Sequence, residues 1–228
     1  MKLGALFTGG KDSTYSIYSS ISKGDTVSCL MNMISENADS YMFHTVGSNL
    51  VGLQAEAIGI PLERFYTKGK KEEELTDLKE FIHRMKDKYG IEGVVSGAIA
   101  SEYQLNRIGG ILGSLGLVSV TPLWRTDVEE YMRRLVSEGF KVVIVSVSAD
   151  GLDESWLGKE ITEGNLNELI ALSRKHRFHL GFEGGEAETA VLDGPMFKKR
   201  VVIRGFEVEN DGPKHYMKVT AAELEDKR

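Results

Sequence analysis

The sequence predicts an α/β fold, in which a parallel sheet is covered by helices on both faces and followed by a smaller α+β part. Three observations predict it. Short apolar runs alternate with amphipathic stretches through the first half of the chain. The first run ends in a Gly-rich turn that opens a helix. Beyond Ala149 this texture gives way to a Gly-rich segment and a hairpin pattern.

Leu3 to Phe7 reads as a buried strand by its length and its flanks. Ile17, Tyr18 and Ile21 recur at helical spacing, and Gly24 stops that helix. Val27 to Met33 is a second strand. Leu50, Leu53, Ala57 and Ile58 mark a helix ended by Gly59, and Leu62 to Tyr66 is a third strand. The clearest helix runs from Lys71 to Tyr89, with Leu75, Leu78, Phe81, Ile82, Met85 and Tyr89 on one face. Glu72, Glu73 and Glu74 sit in its first turn, where the helix dipole favours anions. Val94-Val95 ends a fourth strand. Ser101-x-x-Gln104 is a capping box for a helix that turns Leu105, Ile108, Leu112 and Leu115 inward.

Val118 to Val120 is a fifth strand. Thr126-x-x-Glu129 reads as the cap of a helix with Val128, Tyr131, Met132, Leu135 and Val136 on one stripe, and Lys141 to Val147 adds a strong strand. Leu166, Leu169, Ile170 and Leu172 mark a further helix. Glu183-Gly184-Gly185-Glu186 is too Gly-rich for a regular element. Val201 to Val208 and His215 to Val219 flank Asn210-Asp211-Gly212-Pro213 as a hairpin. With the boundary near Ser119–Thr126, residues 1–122 form the first domain and 123–228 the second.

Composition narrows the function. A net charge of −6 and no basic run longer than Lys198-Lys199-Arg200 argue against nucleic acid as a partner. The single cysteine, Cys29, excludes an intramolecular disulfide and a multi-cysteine metal site. The N-terminus has no signal-peptide pattern and no apolar run reaches the roughly 20 residues that span a bilayer, so the expectation is a cytoplasmic protein without a membrane partner. Oligomeric state is open, a homodimer included.

The chemistry begins at Thr8-Gly9-Gly10-Lys11-Asp12-Ser13, between a strand and a helix. Gly9 and Gly10 let the backbone approach an anion, and the following N–H groups and helix N-terminus favour negative charge. Lys11 adds a positive charge, while Thr8 and Ser13 offer hydroxyls. Phosphate would repel Asp12 unless the carboxylate faces a metal, so Asp12 is assigned Mg²⁺. The spacing is neither that of the P-loop nor that of the dinucleotide fingerprint. Phosphates, and ATP in particular, are the expected ligand.

Further along, Ser96-Gly97-Ala98 follows a strand at the carboxyl edge of the sheet, and its small residues allow an α-phosphate or ribose to come close. Met33 ends the second strand, where its backbone is a candidate for the adenine edge; a plain core strand is the competing reading. His44 is a nucleotide candidate against a structural hydrogen-bonding role. Tyr103, Gln104 and Arg107 share a helix opening near the same edge, and Arg107 is either a substrate contact or a surface ion pair. His83, His176, His179 and His215 show no partner pattern and read as structural or solvated. Glu183, Glu186 and Glu188 cluster around Gly184-Gly185. They read as a solvated acidic loop or as carboxylates that bind a cationic substrate, take its proton or hold Mg²⁺, with Glu186 as the base.

The hexapeptide resembles the Ser-Gly-Gly-x-Asp-Ser loop of the N-type ATP pyrophosphatases, the PP-loop superfamily, with Thr8 in place of Ser. The superfamily implies a Rossmann-like (HUP-type) sheet and cleavage of ATP to AMP and pyrophosphate. Four further segments narrow the likeness: Met42-Phe43-His44 with Asn49 and Gln54-Ala55-Glu56-Ala57; Ser96 to Ile99 with Tyr103, Gln104 and Arg107; Pro122-Leu123-Trp124; and Gly181 to Thr189 with Asp193, Pro195 and Phe197. Together they resemble the diphthine–ammonia ligase family in its short archaeal form. That likeness implies ATP-dependent amidation of diphthine on translation elongation factor 2 by ammonium, with Lys11, Asp12, Glu183 and Glu186 as catalytic residues, Tyr103, Gln104, Arg107 and Glu188 on the substrate side, and Mg²⁺ at Asp12. The alternatives are a PP-loop enzyme acting on another carbonyl substrate, such as one in tRNA modification, and a non-catalytic ATP-binding protein. A sulfur-transferring enzyme needs carrier cysteines, and Cys29 on a buried strand is a poor one. No glutaminase nucleophile is visible, so free ammonium fits better.

Overall fold

The computed structural model describes residues 1–35, 48–68 and 73–227, with all their side chains except those of Ser48, Asn49, Tyr103 and Gln104. The chain forms two units. One comprises residues 1–8, 12–45 and 60–124; the other comprises 9–11, 46–59 and 125–228.

The first unit carries a five-stranded parallel sheet of β1 (Lys2–Leu6), β2 (Thr26–Ser35), β3 (Leu62–Thr67), β4 (Gly93–Val95) and β5 (Val118–Val120). Their order is β3-β2-β1-β4-β5, all pairs parallel. This is the doubly wound Rossmann-like order, whose direction reverses between β1 and β4. Right-handed crossovers put α1 (Lys11–Ser22) on one face and α3 (Glu73–Tyr89) and α4 (Glu102–Ser114) on the other. Cys29, Met31 and Met33 of β2 are buried in one core with Leu78, Phe81, Ile82 and Met85 of α3 and Ile108 and Leu112 of α4. Side chains alternate along a strand, so Leu30 and Asn32 face the other way. The expected alternation of strand and helix holds, with ends shifted by a residue or two.

The second unit contains α2 (Ser48–Ile58), α5 (Val128–Ser137), α6 (Glu163–His176) and the strands β6 (Lys141–Val147), β7 (Ala187–Asp193), β8 (Lys199–Asp211) and β9 (Lys214–Asp226). These strands form a separate antiparallel sheet in the order β7-β6-β9-β8. β6 is its buried centre: β7 pairs along its length, and β9 meets it only at Ser146 and Val147. The other half of that edge is taken by residues 158–161, where Gly158 N–H bonds Ile144 O and Ile161 N–H bonds Val142 O. The helices α5 and α6 pack on each other.

Three expectations change. Asp127, not Thr126, caps α5: its side chain accepts from Glu130 N–H at 2.8 Å. The hairpin strands run further than their apolar cores, and only Gly212-Pro213 turn between them. β7 was not expected as a strand. Its sequence, AETAVLD, lacks the alternation that marks one.

Candidate active site

The phosphate loop leaves the carboxyl end of β1, and residues 96–98 leave the carboxyl end of β4. These two strands flank the switch in sheet direction, the place where open α/β sheets take their ligands. Within the first unit the loops touch. A Cβ on Gly97 would stand 2.7 Å from both the Asp12 carbonyl carbon and the Ser13 nitrogen. Only glycine lets residues 96–98 lie against the first turn of α1. Ser96 and Ala98 beside it are buried. Thr8 Oγ1 and Ser13 Oγ lie 3.2 Å apart, and Thr8 N–H reaches Ser13 Oγ at 3.3 Å, so the two hydroxyls brace the turn.

Residues 9–11 are tied to the C-terminal strands of the second unit. The Gly9 carbonyl accepts from Val191 N–H of β7 at 3.0 Å and from Gln54 Nε2 of α2 at 2.8 Å. Gln54 Nε2 also donates to Val191 O at 2.8 Å, and Lys11 N–H donates to Thr189 Oγ1 at 3.2 Å. Lys11 is only 2% exposed; its Nζ donates to Gly181 O at 2.6 Å and lies 5.2 Å from the centroid of the Phe182 ring. These contacts bracket the acidic turn on both sides in sequence.

Phe182 is buried with φ +62°, a left-handed conformation that strains a residue of its size. It starts the turn that carries Glu183. Both carboxylate oxygens of Glu186 are engaged within this turn: Oε1 accepts from His179 N–H at 3.0 Å and Oε2 from Gly184 N–H at 2.8 Å. The turn is held to the end of β6 as well, because Ser148 N–H donates to Glu186 O and Ser148 Oγ to Gly185 O. Glu186 therefore holds the turn through both of its oxygens. Glu183, the other carboxylate expected to be catalytic, lies half-buried in the same turn as Glu186, the expected base. Glu188 is paired with Lys214 at 2.8 Å, and Asp193 with Lys227 at 2.5 Å.

Other expected residues lie apart from these contacts or outside the description. The Met33 side chain belongs to the sheet core, which leaves only its backbone for a ligand. Arg107 sits half-buried on α4. Tyr103 and Gln104 are on the first turn of α4, their side chains outside the described ones, and His44 lies outside the described residues. Among the described residues no group of three or more His, Cys, Asp or Glu is placed to hold a metal by itself. Asp12 alone, on the first turn of α1, fits a Mg²⁺ that takes most of its ligands from phosphate and water. Burial pushes the Cys29 thiol up to about 12, the opposite of a reactive cysteine. No helix among the described residues is long and apolar enough to cross a membrane.

Gln54 and Thr189 are quoted in the sequence motifs, but nothing local marks their contacts with the loop. Gln54 is 45 residues from Gly9 and 137 from Val191. The one available signal is a glutamine on the apolar side of a short helix.

The chain matches the diphthamide synthase N-terminal domain over residues 1–119 and the C-terminal domain over residues 127–224. It is 35% identical to the diphthine–ammonia ligase of Mus musculus and 34% identical to that of Homo sapiens, in each case over 100% of this chain and 94% of the relative. The diphthine–ammonia ligase of Schizosaccharomyces pombe is 35% identical over 97% of this chain and 39% of its own length. With both domain models matched and relatives at 34–35% identity along the whole chain, the chain belongs to the diphthine–ammonia ligase family of carbon–nitrogen ligases.

Proposed function

We propose that this protein amidates diphthine on translation elongation factor 2, using ATP and ammonium and releasing AMP and pyrophosphate. The observation that carries this reading is similarity to diphthine–ammonia ligases along the whole chain. The geometry supports it: a phosphate loop tied to the strand that follows a carboxylate turn.

A carboxylate oxygen of diphthine attacks the α-phosphorus of ATP. The bond to the bridging oxygen breaks and pyrophosphate leaves. Ammonium gives up a proton, and its nitrogen attacks the acyl carbon, forming the amide and expelling AMP. Residues 1–122 supply the nucleotide site, with Thr8, Gly9, Gly10, Lys11, Asp12 and Ser13 on the phosphates, Ser96, Gly97 and Ala98 near the α-phosphate or ribose, and the Met33 backbone and His44 toward the base. Asp12, with phosphate and water ligands, would hold Mg²⁺, which would supply positive charge toward the pyrophosphate.

Residues 123–228 supply the acceptor side. Glu183 and Glu186 are the carboxylates that take the ammonium proton, Glu186 also holding the turn, and Tyr103, Gln104 and Arg107 join Glu188 in contacting the protein substrate. The reading places the enzyme in the cytoplasm and leaves room for a homodimer, which sedimentation reads directly. The test is incubation with ATP, Mg²⁺, ammonium and diphthine-bearing elongation factor 2. AMP release with conversion of the diphthine carboxylate to an amide is expected. AMP release only with another carbonyl substrate would favour a different PP-loop reaction, and nucleotide binding without cleavage a non-catalytic protein.

A further inference from the structure

Gln54 is 1% exposed, on the inner side of α2. Both hydrogens of its Nε2 are spent on main-chain carbonyls, Gly9 O and Val191 O, each at 2.8 Å. This fixes which way the amide faces, since the flipped amide would set an oxygen against two oxygens. Its own Oε1 is buried with no hydrogen-bond partner among the described residues. A buried orphan acceptor is rare and costs folding free energy. The oxygen also occupies the space beside Gly9: a Cβ there would stand 2.0 Å from it, and Gly9 has φ +77°.

The peptide plane explains what this arrangement achieves. In a trans peptide the carbonyl and the next N–H point in opposite directions, and the chain has no cis bond among the described residues. Holding Gly9 O toward β7 and Gln54 therefore aims the Gly10 N–H away from β7. In a phosphate-binding turn it is the direction of successive N–H groups that makes the anion site. We infer that Gln54 is a positioning residue for ATP: it orients the Gly9–Gly10 peptide so that the loop presents its N–H groups to the phosphates, and it ties that orientation to β7 through Val191. The inference rests on the proposed nucleotide site.

The test uses the full chain and α,β-methylene ATP, followed by calorimetry, with steady-state turnover alongside. Gln54→Leu removes both donors. Gln54→Glu places an oxygen against the two carbonyls, but its protonated form regains one donor. Leu169→Ala, in the buried face of α6, serves as a control of lowered stability. Gln54→Leu is expected to weaken nucleotide binding by roughly tenfold, and to raise the KM for ATP while leaving that for ammonium unchanged. Leu169→Ala is expected to bind as wild type does.

Gln54→Glu is expected to bind more tightly, relative to wild type, as the solution goes from about pH 8 to about pH 5.5. If the leucine variant is too unstable to handle, this pH dependence carries the decision. Binding within about twofold of wild type by both variants at both pH values would overturn the inference while leaving the nucleotide site in place. A wild-type chain that binds no nucleotide would overturn both.

Discussion

The ammonium of Lys11 donates a 2.6 Å hydrogen bond to the carbonyl oxygen of Gly181, 170 residues further along the chain. Gly181 opens the segment that leads through Phe182 into Glu183. Lys11 thus anchors the carboxylate turn, besides the phosphate charge proposed for it.

Substituting Lys11→Met removes both. The Gly181 carbonyl loses a charged donor in a buried place, which costs about 1–3 kcal/mol. Thermal unfolding is expected to shift down even without nucleotide, and ATP affinity to fall in calorimetry. A variant with lowered affinity and unchanged melting temperature would show that the anchorage contributes nothing.

Gly97→Ala adds one methyl group where Asp12 and Ser13 backbone atoms already stand 2.7 Å away. Something must move, at about 1–3 kcal/mol. The α1 turn is the element displaced, so ATP binding is expected to weaken by at least about tenfold. Ile99→Val, close by but off this contact, is the comparison.

Glu183→Gln and Glu186→Gln are expected to separate. Glutamine at 186 presents only one acceptor to the two backbone N–H groups, so its thermal unfolding falls by about 1–2 kcal/mol in stability. At 183 the change is expected to slow amide formation by about 100-fold or more. Pyrophosphate release in a single turnover, read beside amide formation, distinguishes loss of adenylation from loss of amidation.

Away from the site, Glu63 accepts from Lys88 Nζ at 2.7 Å and from Tyr89 OH at 2.5 Å. Burial pushes its carboxyl up, but these hydrogen bonds and the Lys88 charge outweigh that and hold it below its ordinary value. A lowered native value means stability that is complete above the unfolded value of about 4.3 and lost as pH falls through the native one. The melting temperature of wild type is expected to exceed that of Glu63→Gln near neutrality, with the gap closing below about pH 4.

Cys29 is expected to stay unmodified by a thiol-reactive disulfide reagent until the chain unfolds, because it is buried and its thiol sits at about 12. Cys29→Ala is expected to retain full turnover, with stability lower by about 1–2 kcal/mol from the cavity. Loss of turnover would reopen sulfur chemistry.

Much of the fold was legible in residues that act on near neighbours. Apolar runs such as Leu3–Phe7 mark buried strands, and the stripe from Leu75 to Tyr89 marks α3, because burial periodicity is a local property. The turn from β1 into α1 was legible for the same reason: strand, two glycines and helix lie within a dozen residues. What the loop is fastened to was not. Gln54 and Thr189 meet its main chain with their side chains, and Gly181 meets Lys11 with its carbonyl; a main-chain donor or acceptor leaves no trace in composition. The role of Glu186 escaped similarly, since its partners are the backbone of His179 and Gly184. A carboxylate in a Gly-rich turn looks the same in sequence whether it faces a ligand or its own amides.

The seam between Gly9 and Val191 also bears on how the chain is made. β7 pairs with β6 on one side, and Val191 turns its outward N–H to Gly9. The loop thus covers the open margin of a sheet whose strands all come far later in the chain. A fragment beginning at Arg125 would present that margin bare, as a template for a strand from another molecule. Self-association of such a fragment is expected, and the separation between the two residues makes their pairing a late, slow event in folding.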